Sequence, residues 1–600
     1  MPCREVFFRQ EGTHMEKWYV AAKRADFHAI AEKFHIDPVT ARLIRNRDLI
    51  GDKAIDRYLN GTTSLLYPPQ MLKGCDEAAT LLQEKIKQKK KIRIIGDYDI
   101  DGVNATYILY QGLKRLGADI DYEIPDRMKD GYGLNLHLIE LAYQERVDTI
   151  LTCDNGITAL EQTEYAKNKG MTVIITDHHE PLFEEKDGEK IWRLPSADVL
   201  IDPKLPDCTY PFPHICGAVV AWKLIQMLWQ MCGIEDDSVA EFLPFAAIAT
   251  VGDVMDLKDE NRIIVKWGLR ALEHTPNPGL QALIRATGLE DQPLSAYHIG
   301  FVLGPCINAS GRLDTAKRSL RLLLAGSRNE AWTLAQELKS LNDERKDLTA
   351  LGVEKAVSEI EHTDLIKDRV LVVYLPDCHE SIAGIIAGRI RERYHRPVFI
   401  LTNGVECIKG SGRSIETYSM FDEMIKCQDL FLKFGGHPMA AGLSLLKENI
   451  SVFRQRINEF CTLTPEDMIE KIMIDVPMPI DYISESLVQE LSILEPFGKG
   501  NTKPLFAEKD LLLLSGNILG KNKNVLKLKI TNQRGVCMDA MYFGDIPAFQ
   551  EYIISRYGRE AWDGLMLGRN SMMRLSVTYY PVINEFRGNR TLQIVIQNYQ

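Results

Sequence analysis

Three carboxylates stand within five residues in Asp97-Tyr98-Asp99-Ile100-Asp101-Gly102, directly after the apolar run Ile92–Ile95. Such a trio repels itself unless solvent or cations neutralise it. The same pattern recurs along the chain. Apolar runs lead into Asp154-Asn155-Gly156, into Asp177-His178-His179, into Asp202-Pro203-Lys204 and into Gly252-Asp253. One Asp after a strand is most often a turn or capping residue. Several together, one beside a His-His pair, make a donor set for Mn²⁺, or for Mg²⁺ where carboxylates dominate. Shared carboxylates point to two ions, typically about 3.5–4 Å apart, that clamp an in-line phosphoryl displacement.

The elements around these residues explain how they meet. Short strands at Ile92–Ile95, Asp119–Ile124, Asp148–Thr152, Met171–Thr176 and Val199–Ile201 alternate with helices, which predicts an α/β multidomain protein with a mainly parallel sheet. The acidic clusters then fall at strand ends, where open α/β sheets bind ligands. The apolar segment Phe245–Val251 delivers Asp253 in the same way.

Lys17–Phe34 and Asp37–Leu59 have helical spacing, so residues 1–85 read as a helical lead-in. The catalytic unit spans 86–310. A connecting segment, 311–365, contains a long helix over Ser327–His362, opened by a capping box of Ser327 and Glu330. A second α/β unit, 366–470, begins at Arg369–Tyr374 and contains Gly410-Ser-Gly-Arg413 and Gly435-Gly436-His437, glycine-rich turns suited to cradling phosphate. Residues 471–600 turn to β, and five short strands fit a small barrel of the OB type. Lys521, Lys523, Lys527, Lys529 and Arg534, with Tyr542 and Phe543 nearby, suit single-stranded nucleic acid.

The chain of 600 residues is too long for one core. No apolar run approaches a membrane span, the N-terminal residues lack a signal-peptide core, and 12 scattered cysteines without a C-x-x-C pair suit a reducing cytoplasm. Net charge is −11, but residues 471–600 hold 15 Lys and Arg against 13 Asp and Glu, so the acidity lies elsewhere. Bound cations would offset part of it.

Asp-x-Asp-x-Asp-Gly, Asp-Asn-Gly and Asp-His-His, in that order, resemble the DHH phosphoesterase superfamily and, within it, the single-strand-specific exonucleases. Gly131-Tyr-Gly-Leu134, Thr250–Asp256, Ile307–Arg312, His379-Glu380, Gly435–His437 and Leu494–Asn501 extend the likeness over nearly the whole chain. The resemblance implies a parallel-sheet DHH catalytic domain, a long connecting helix, a DHH-associated α/β domain and an OB-type barrel. It implies a 5′→3′ exonuclease on single-stranded DNA that releases 5′-mononucleotides in recombination and repair, using two ions of Mn²⁺ or Mg²⁺. Asp99, Asp101, Asp154, His178 and Asp253 would hold the ions, with Asp154 bridging and Asp97 in or beside the ligand set. His179 would contact the scissile phosphate or aid proton transfer. Asn308, Arg312, His379, Arg413, Gly435, Gly436 and His437 would hold the nucleic acid. The implied protein is a monomer that works with single-strand-binding protein and a RecQ-type helicase. Cys306 and Pro376-Asp377-Cys378 depart from the family pattern in the substrate-holding region. An oligoribonuclease or cyclic-dinucleotide phosphodiesterase would lack the C-terminal β region, and a non-catalytic scaffold would have lost its acidic residues.

Overall fold

The computed structural model describes residues 3–8, 16–126, 133–186, 188–234, 240–569, 572–586 and 588–600. Gly131 and Tyr132, from the Gly-Tyr-Gly-Leu motif, lie outside them. The chain forms two compact units: residues 60–350 with 496–502, and residues 1–59 with 351–495 and 503–600.

The first unit is built on a five-stranded sheet. Its order is Ile120–Glu123, Ile92–Ile95, Thr149–Cys153, Thr172–Thr176 and Val199–Ile201, and every neighbouring pair is parallel. The Ile92–Ile95 and Thr149–Cys153 strands are buried along their whole length, as expected when helices cover both faces. In chain order the strands lie 2-1-3-4-5, so the topological switch falls between Ile92–Ile95 and Thr149–Cys153. The loops after those two strands carry Asp97–Asp101 and Asp154. The Ile100–Arg115, Gly217–Met231 and Leu243–Gly252 helices supply much of the core.

Phe245–Val251 lies within the Leu243–Gly252 helix, so Asp253 follows a helix and not a strand. Its continuous apolarity reflects burial on all sides, which periodicity cannot distinguish from a buried strand. The long helix runs Arg328–Glu361. At 1.5 Å per residue it spans about 50 Å. Ser327 Oγ accepts from Glu330 N at 3.3 Å, while the Glu330 carboxylate accepts from Gly326 N rather than from the Ser327 backbone, so the expected capping box is only half made.

In the second unit the N-terminal region is not wholly helical. Cys3–Phe8 and Glu16–Ala21 form a hairpin, and Glu16–Ala21 also pairs in parallel with Glu470–Ile474. Trp18 is fully buried against Ile474 and Ala507. Only that distant pairing reveals Trp18 and Val20 as one face of a strand. Helices follow at Phe27–Phe34, Pro38–Asn46 and Asp52–Asn60, the second capped by Asp37 Oδ1 accepting from Val39 N at 2.7 Å.

The next sheet has the order Leu371–Tyr374, Val398–Asn403, Ile408–Arg413, Ala440–Leu445, Phe431–His437. The two glycine-rich stretches expected as turns are strands of this sheet. A Cβ at Gly412 would come within 2.3 Å of Met420 Sδ, so this glycine admits close packing rather than a turn.

In the C-terminal region the strands Phe506–Leu519, Val525–Thr531, Cys537–Tyr542, Asn589–Tyr599 and Arg574–Phe586 pair in that order, and Phe506–Leu519 pairs again with Arg574–Phe586. Two helices, Ile546–Tyr557 and Arg559–Met566, stand between the third and fourth strands in sequence. Tyr542 is buried against Phe549 and Tyr599, so it belongs to the core and not to a stacking surface. Lys527 pairs with Asp539 at 2.7 Å and Arg534 with Asp481 at 2.6 Å, which neutralises two of the five cations. Lys521, Lys523 and Lys529 are exposed.

Candidate metal centre

The Asp97–Asp101 loop is held by backbone donors. Asp99 Oδ1 accepts from Asp101 N at 2.9 Å and Gly102 N at 3.0 Å, which caps the Ile100–Arg115 helix. A Cβ at Gly102 would lie 2.5 Å from the Asp97 carbonyl oxygen, so only glycine lets the helix start beneath the loop. The Asp101 carboxylate accepts from Gly217 N at 2.6 Å and Ala218 N at 2.7 Å, at the positive end of the Gly217–Met231 helix. Gly217 is needed for a second reason: its Cβ would fall 2.7 Å from Asp154 Cβ. Asp154 itself sits at φ +61°. That conformation is uncommon outside glycine and is found where surrounding structure enforces it.

Around Asp154 the side chains converge. His178 Nε2 lies 3.0 Å from Asp154 Oδ1, 3.5 Å from Asp101 Oδ2 and 3.7 Å from Asp253 Oδ2. Candidate ligand atoms of Asp97, Asp99 and Asp154 lie within 4.8 Å of one another, as do those of Asp101, His178 and Asp253, and of Asp154, His178 and His179. Asp154 thus shares one trio with Asp97 and Asp99 and adjoins the Asp101 and Asp253 trio through His178. Val254, after Asp253, takes φ +55°, a strained value for a β-branched residue. The loop beyond it is pinned by Leu257 N donating to Lys499 O at 2.7 Å.

Electrostatics follow from crowding. Burial, and then the neighbouring carboxylates, raise Asp154 well above the ordinary carboxylate value. Asp99 is raised by burial and by Asp101. Asp253 is pushed up to about 8 by burial, Asp101 and Asp99. His178 is lowered to about 4 by burial and by His179, which keeps its imidazole neutral and able to act as a ligand. Its Nδ1 is buried without a hydrogen-bond partner among the described residues. This donor set fits two hard divalent cations: carboxylates dominate, a neutral imidazole joins them, and the mutual repulsion is what bound cations would relieve.

Behind the centre, Asp177 acts as an organiser. It accepts from Ile157 N at 2.9 Å and from His178 N at 2.7 Å, and its Oδ1 lies 2.7 Å from His179 Nδ1. Burial opposes the His179 imidazolium, but the Asp177 hydrogen bond and charge outweigh it and push His179 up to about 9. Asn155 donates to the Ile95 and Cys153 carbonyls, tying the two switch-point strands together. The sequence counts Asp177 among the strand-end carboxylates of the donor set, whereas here it orients the two histidines and belongs to none of the candidate ligand groups among the described residues; Asn155 carries no role in the sequence reading although it adjoins Asp154.

The residues expected to hold nucleic acid fall into two groups. Asn308 and Arg312 lie on the Gly304–Leu313 helix, where a Cβ at Gly311 would meet the Tyr98 carbonyl oxygen at 2.4 Å. Cys306, on the same helix, is buried and accepts from Asn342 Nδ2 at 3.4 Å, so this departure from the family pattern lies in the packing. The second group belongs to the other unit. Arg413 pairs in register with Ala440, and Ala440 with His437, so Arg413 and His437 flank one position of the sheet, with Gly435 and Gly436 on the His437 strand. His379 caps the Glu380–Tyr394 helix, its Nδ1 2.7 Å from Ser381 Oγ. Arg413 Nη2 lies 3.0 Å from where a Gly384 Cβ would stand. The Pro376–Cys378 stretch is a turn, with Cys378 N donating to Leu375 O at 3.1 Å.

A parallel sheet that gathers carboxylates and an Asp-His-His triplet at its switch point defines a protein of the DHH class. Residues 91–250 match the DHH family N-terminal domain, 367–463 the DHHA1 domain and 474–598 the RecJ OB domain. The chain is 33% identical over 574 residues to the single-stranded-DNA-specific exonuclease RecJ of Bacillus subtilis (strain 168), covering 94% of this chain and 71% of the relative. It is 32% identical to the RecJ of Escherichia coli (strain K12), covering 94% and 96%. The crystal structure of Thermus thermophilus RecJ in complex with Mn²⁺ superposes with a TM-score of 0.80 at 27% identity, covering 97% of this chain and 79% of that one. The corresponding Mg²⁺ complex gives 0.74 at 26% identity, covering 97% and 78%. The chain belongs to the RecJ family.

Proposed function

We propose that this protein is a single-stranded-DNA-specific exonuclease that hydrolyses phosphodiester bonds from the 5′ end and releases 5′-mononucleotides, in DNA recombination and repair. The observation that carries the reading is the convergence on Asp154 of a pair, Asp97 and Asp99, and a trio, Asp101, His178 and Asp253, at the switch point of a RecJ-type sheet. Two ions of Mn²⁺ or Mg²⁺ held there supply Lewis acidity, offsetting charge on the phosphate and making a water acidic enough to attack. Asp97, Asp99, Asp101, Asp154, His178 and Asp253 hold the ions. The Gly217 and Ala218 amides fix the Asp101 carboxylate, so its geometry is set before substrate arrives.

His179, tethered through Nδ1 to Asp177, whose hydrogen bond and charge favour its protonated form, turns Nε2 to the scissile phosphate or the departing oxygen. Asn308 and Arg312 in the catalytic unit, and His379, Arg413, Gly435, Gly436 and His437 in the second, hold phosphates. Residues 86–310 serve as the catalytic domain, 366–470 as the substrate-holding domain and 471–600 as a single-strand-binding OB domain, with the long helix in the 311–365 segment that links the first two in sequence. Single-strand-binding protein and a RecQ-type helicase are the proposed partners of a monomer. The test is Mn²⁺-dependent degradation of a labelled single strand by the parent, Asp154→Ala and His178→Ala. The parent degrades it and both variants lose at least about 100-fold; full activity in either would remove that residue from the metal site.

A further inference from the structure

One of the strand-end carboxylates has no place in the metal centre. Asp202 follows Val199–Ile201, yet it belongs to none of the candidate ligand groups among the described residues. It is fully buried, and its Oδ2 has no hydrogen-bond partner among them. Oδ1 accepts from Lys204 N at 2.8 Å, which closes a tight turn. The Lys204 ammonium is engaged elsewhere, 3.3 Å from Glu180 Oε1. A buried carboxylate left with one amide for company tends to take up a proton rather than keep its charge.

Its neighbour explains why the proton belongs on Asp202. Thr176 pairs with Ile201 in the parallel register of Thr172–Thr176 and Val199–Ile201, and Asp177 N donates to Ile201 O at 3.0 Å. Asp177 and Asp202 therefore end adjacent strands, whose axes lie about 4.8 Å apart. Two carboxyl groups buried that close do not both ionise. Asp177 has the stronger claim to the charge. Its Oδ1 accepts from His178 N at 2.7 Å and His179 N at 3.2 Å and lies 2.7 Å from His179 Nδ1, and its Oδ2 accepts from Ile157 N at 2.9 Å. Burial alone would raise Asp177, but the hydrogen bond and charge of His179 hold it below the ordinary carboxylate range. Burial, and then the Asp177 charge, push Asp202 up to about 8, against the pull of Lys204 and His179. Asp177, His179 and Lys204 are the charged groups that face it among the described residues. Asp177 Oδ2 can accept a second bond beside that of Ile157. A carboxyl kept neutral in this way serves as a hydrogen-bond donor.

We propose that Asp202 is a positioning residue of the nuclease site, a neutral carboxyl whose O–H bonds to Asp177 Oδ2 and so keeps Oδ1 aimed at His179. The inference rests on the nuclease reading above and gives the Asp177–His179 pair a second support, opposite Ile157.

The test compares the parent with Asp202→Asn, which offers an N–H in the same place, and Asp202→Leu, which offers none. Mn²⁺-dependent degradation of a labelled single strand is followed from pH 6 to pH 9, with Mn²⁺ affinity by calorimetry and thermal midpoints alongside. At pH 7, Asp202→Leu is expected to lose about 10- to 100-fold in kcat with KM and Mn²⁺ affinity largely kept, and Asp202→Asn to recover most of that loss. The parent should lose activity as the pH rises through about 8 and Asp202 ionises. Asp202→Asn should lack that decline, a difference that a purely structural role would not produce. An Asn variant as impaired at pH 7 as the Leu variant would overturn the proposal, since it would mean that the charge is needed. So would a fully active Leu variant, or the same pH profile in the parent and Asp202→Asn. Loss of Mn²⁺ affinity in both variants would overturn it too, by making Asp202 a metal ligand. A parent without Mn²⁺-dependent action on single strands would overturn the nuclease reading, and this inference with it.

Discussion

Asp154 is the residue on which the most constraints meet: a left-handed backbone, a glycine against its Cβ, and His178 Nε2 at 3.0 Å. Gly217→Ala therefore pushes directly on Asp154. It should weaken Mn²⁺ binding, measured by calorimetry, and cost about 1–3 kcal/mol of stability by overpacking. Normal Mn²⁺ affinity in this variant would show that the Gly217 contact does not position Asp154. Asp177→Asn tests the layer behind, since it removes the charge that holds His179 protonated; a fall in activity of about 10- to 100-fold is expected with Mn²⁺ affinity largely kept. The acidic trio, Asp154 and the His pair were all legible as types in the sequence. The amides of Gly217 and Ala218 were not, because the chain brings them to Asp101 from 116 and 117 residues away. Asp177 was visible, yet its neighbours His178 and His179 drew the chemical argument.

Among the elements, the Gly217–Met231 helix positions the site through its N-terminus and is anchored further along by a fully buried ion pair. Lys223 Nζ donates to Glu260 Oε1 at 2.6 Å, and Glu260 also accepts from Tyr67 N and Tyr210 OH. Lys223→Met leaves Glu260 buried beside two remaining donors and no cation, and should cost about 3–5 kcal/mol. Lys223→Met/Glu260→Met should recover much of that loss, read from thermal midpoints; equal losses in the two would show that the ion pair is not the source. The edge strand Ile120–Glu123 is attached through a different pair. Arg93 Nε and Nη2 donate to both oxygens of Asp121 at 2.7 Å, directly across the register. Burial alone would raise Asp121, but the Arg93 and Lys91 contacts hold it below the ordinary carboxylate range. A depressed carboxylate contributes stability above its unfolded value, about 3.9, that is lost as pH falls through the lower folded value. Acid unfolding should therefore begin at higher pH in Arg93→Met, and an unchanged acid transition would contradict the assignment. The sheet strands could be read from their apolar runs and the long helix from its spacing. The Leu243–Gly252 helix and the Glu16–Ala21 strand could not, because uniform burial erases one period and a pairing with Glu470–Ile474 supplies the other.

Across the whole molecule, the order of DHH, DHHA1 and RecJ OB domains was the most legible feature, since the motifs that carry the resemblance occur in that order. Less legible was how distant segments complete each unit. Residues 496–502 fold with the catalytic unit, where Gly500 takes φ +73° beside Asp256. Residues 1–59 fold with the C-terminal half. The two helices after Cys537–Tyr542 carry no motif to announce them. We propose that the exposed Lys521, Lys523 and Lys529 contribute to long-strand binding by the OB domain. Substituting all three with Ala should weaken binding of a long oligonucleotide and reduce its salt dependence, while cleavage of a dinucleotide is spared; equal effects on both would count against that assignment. The central claim is that the Asp154 centre performs metal-dependent removal of nucleotides from the 5′ end of single-stranded DNA. End-labelled degradation with Mn²⁺ addresses it most directly, using 5′- and 3′-labelled single strands, duplex DNA and RNA with the parent and Asp154→Ala. The account predicts immediate release of a 5′ label as mononucleotide, gradual shortening of the 3′-labelled strand, little action on duplex or RNA, and no product from the variant. Internal cleavage products, early loss of the 3′ label, equal degradation of RNA, or an active Asp154→Ala would contradict it.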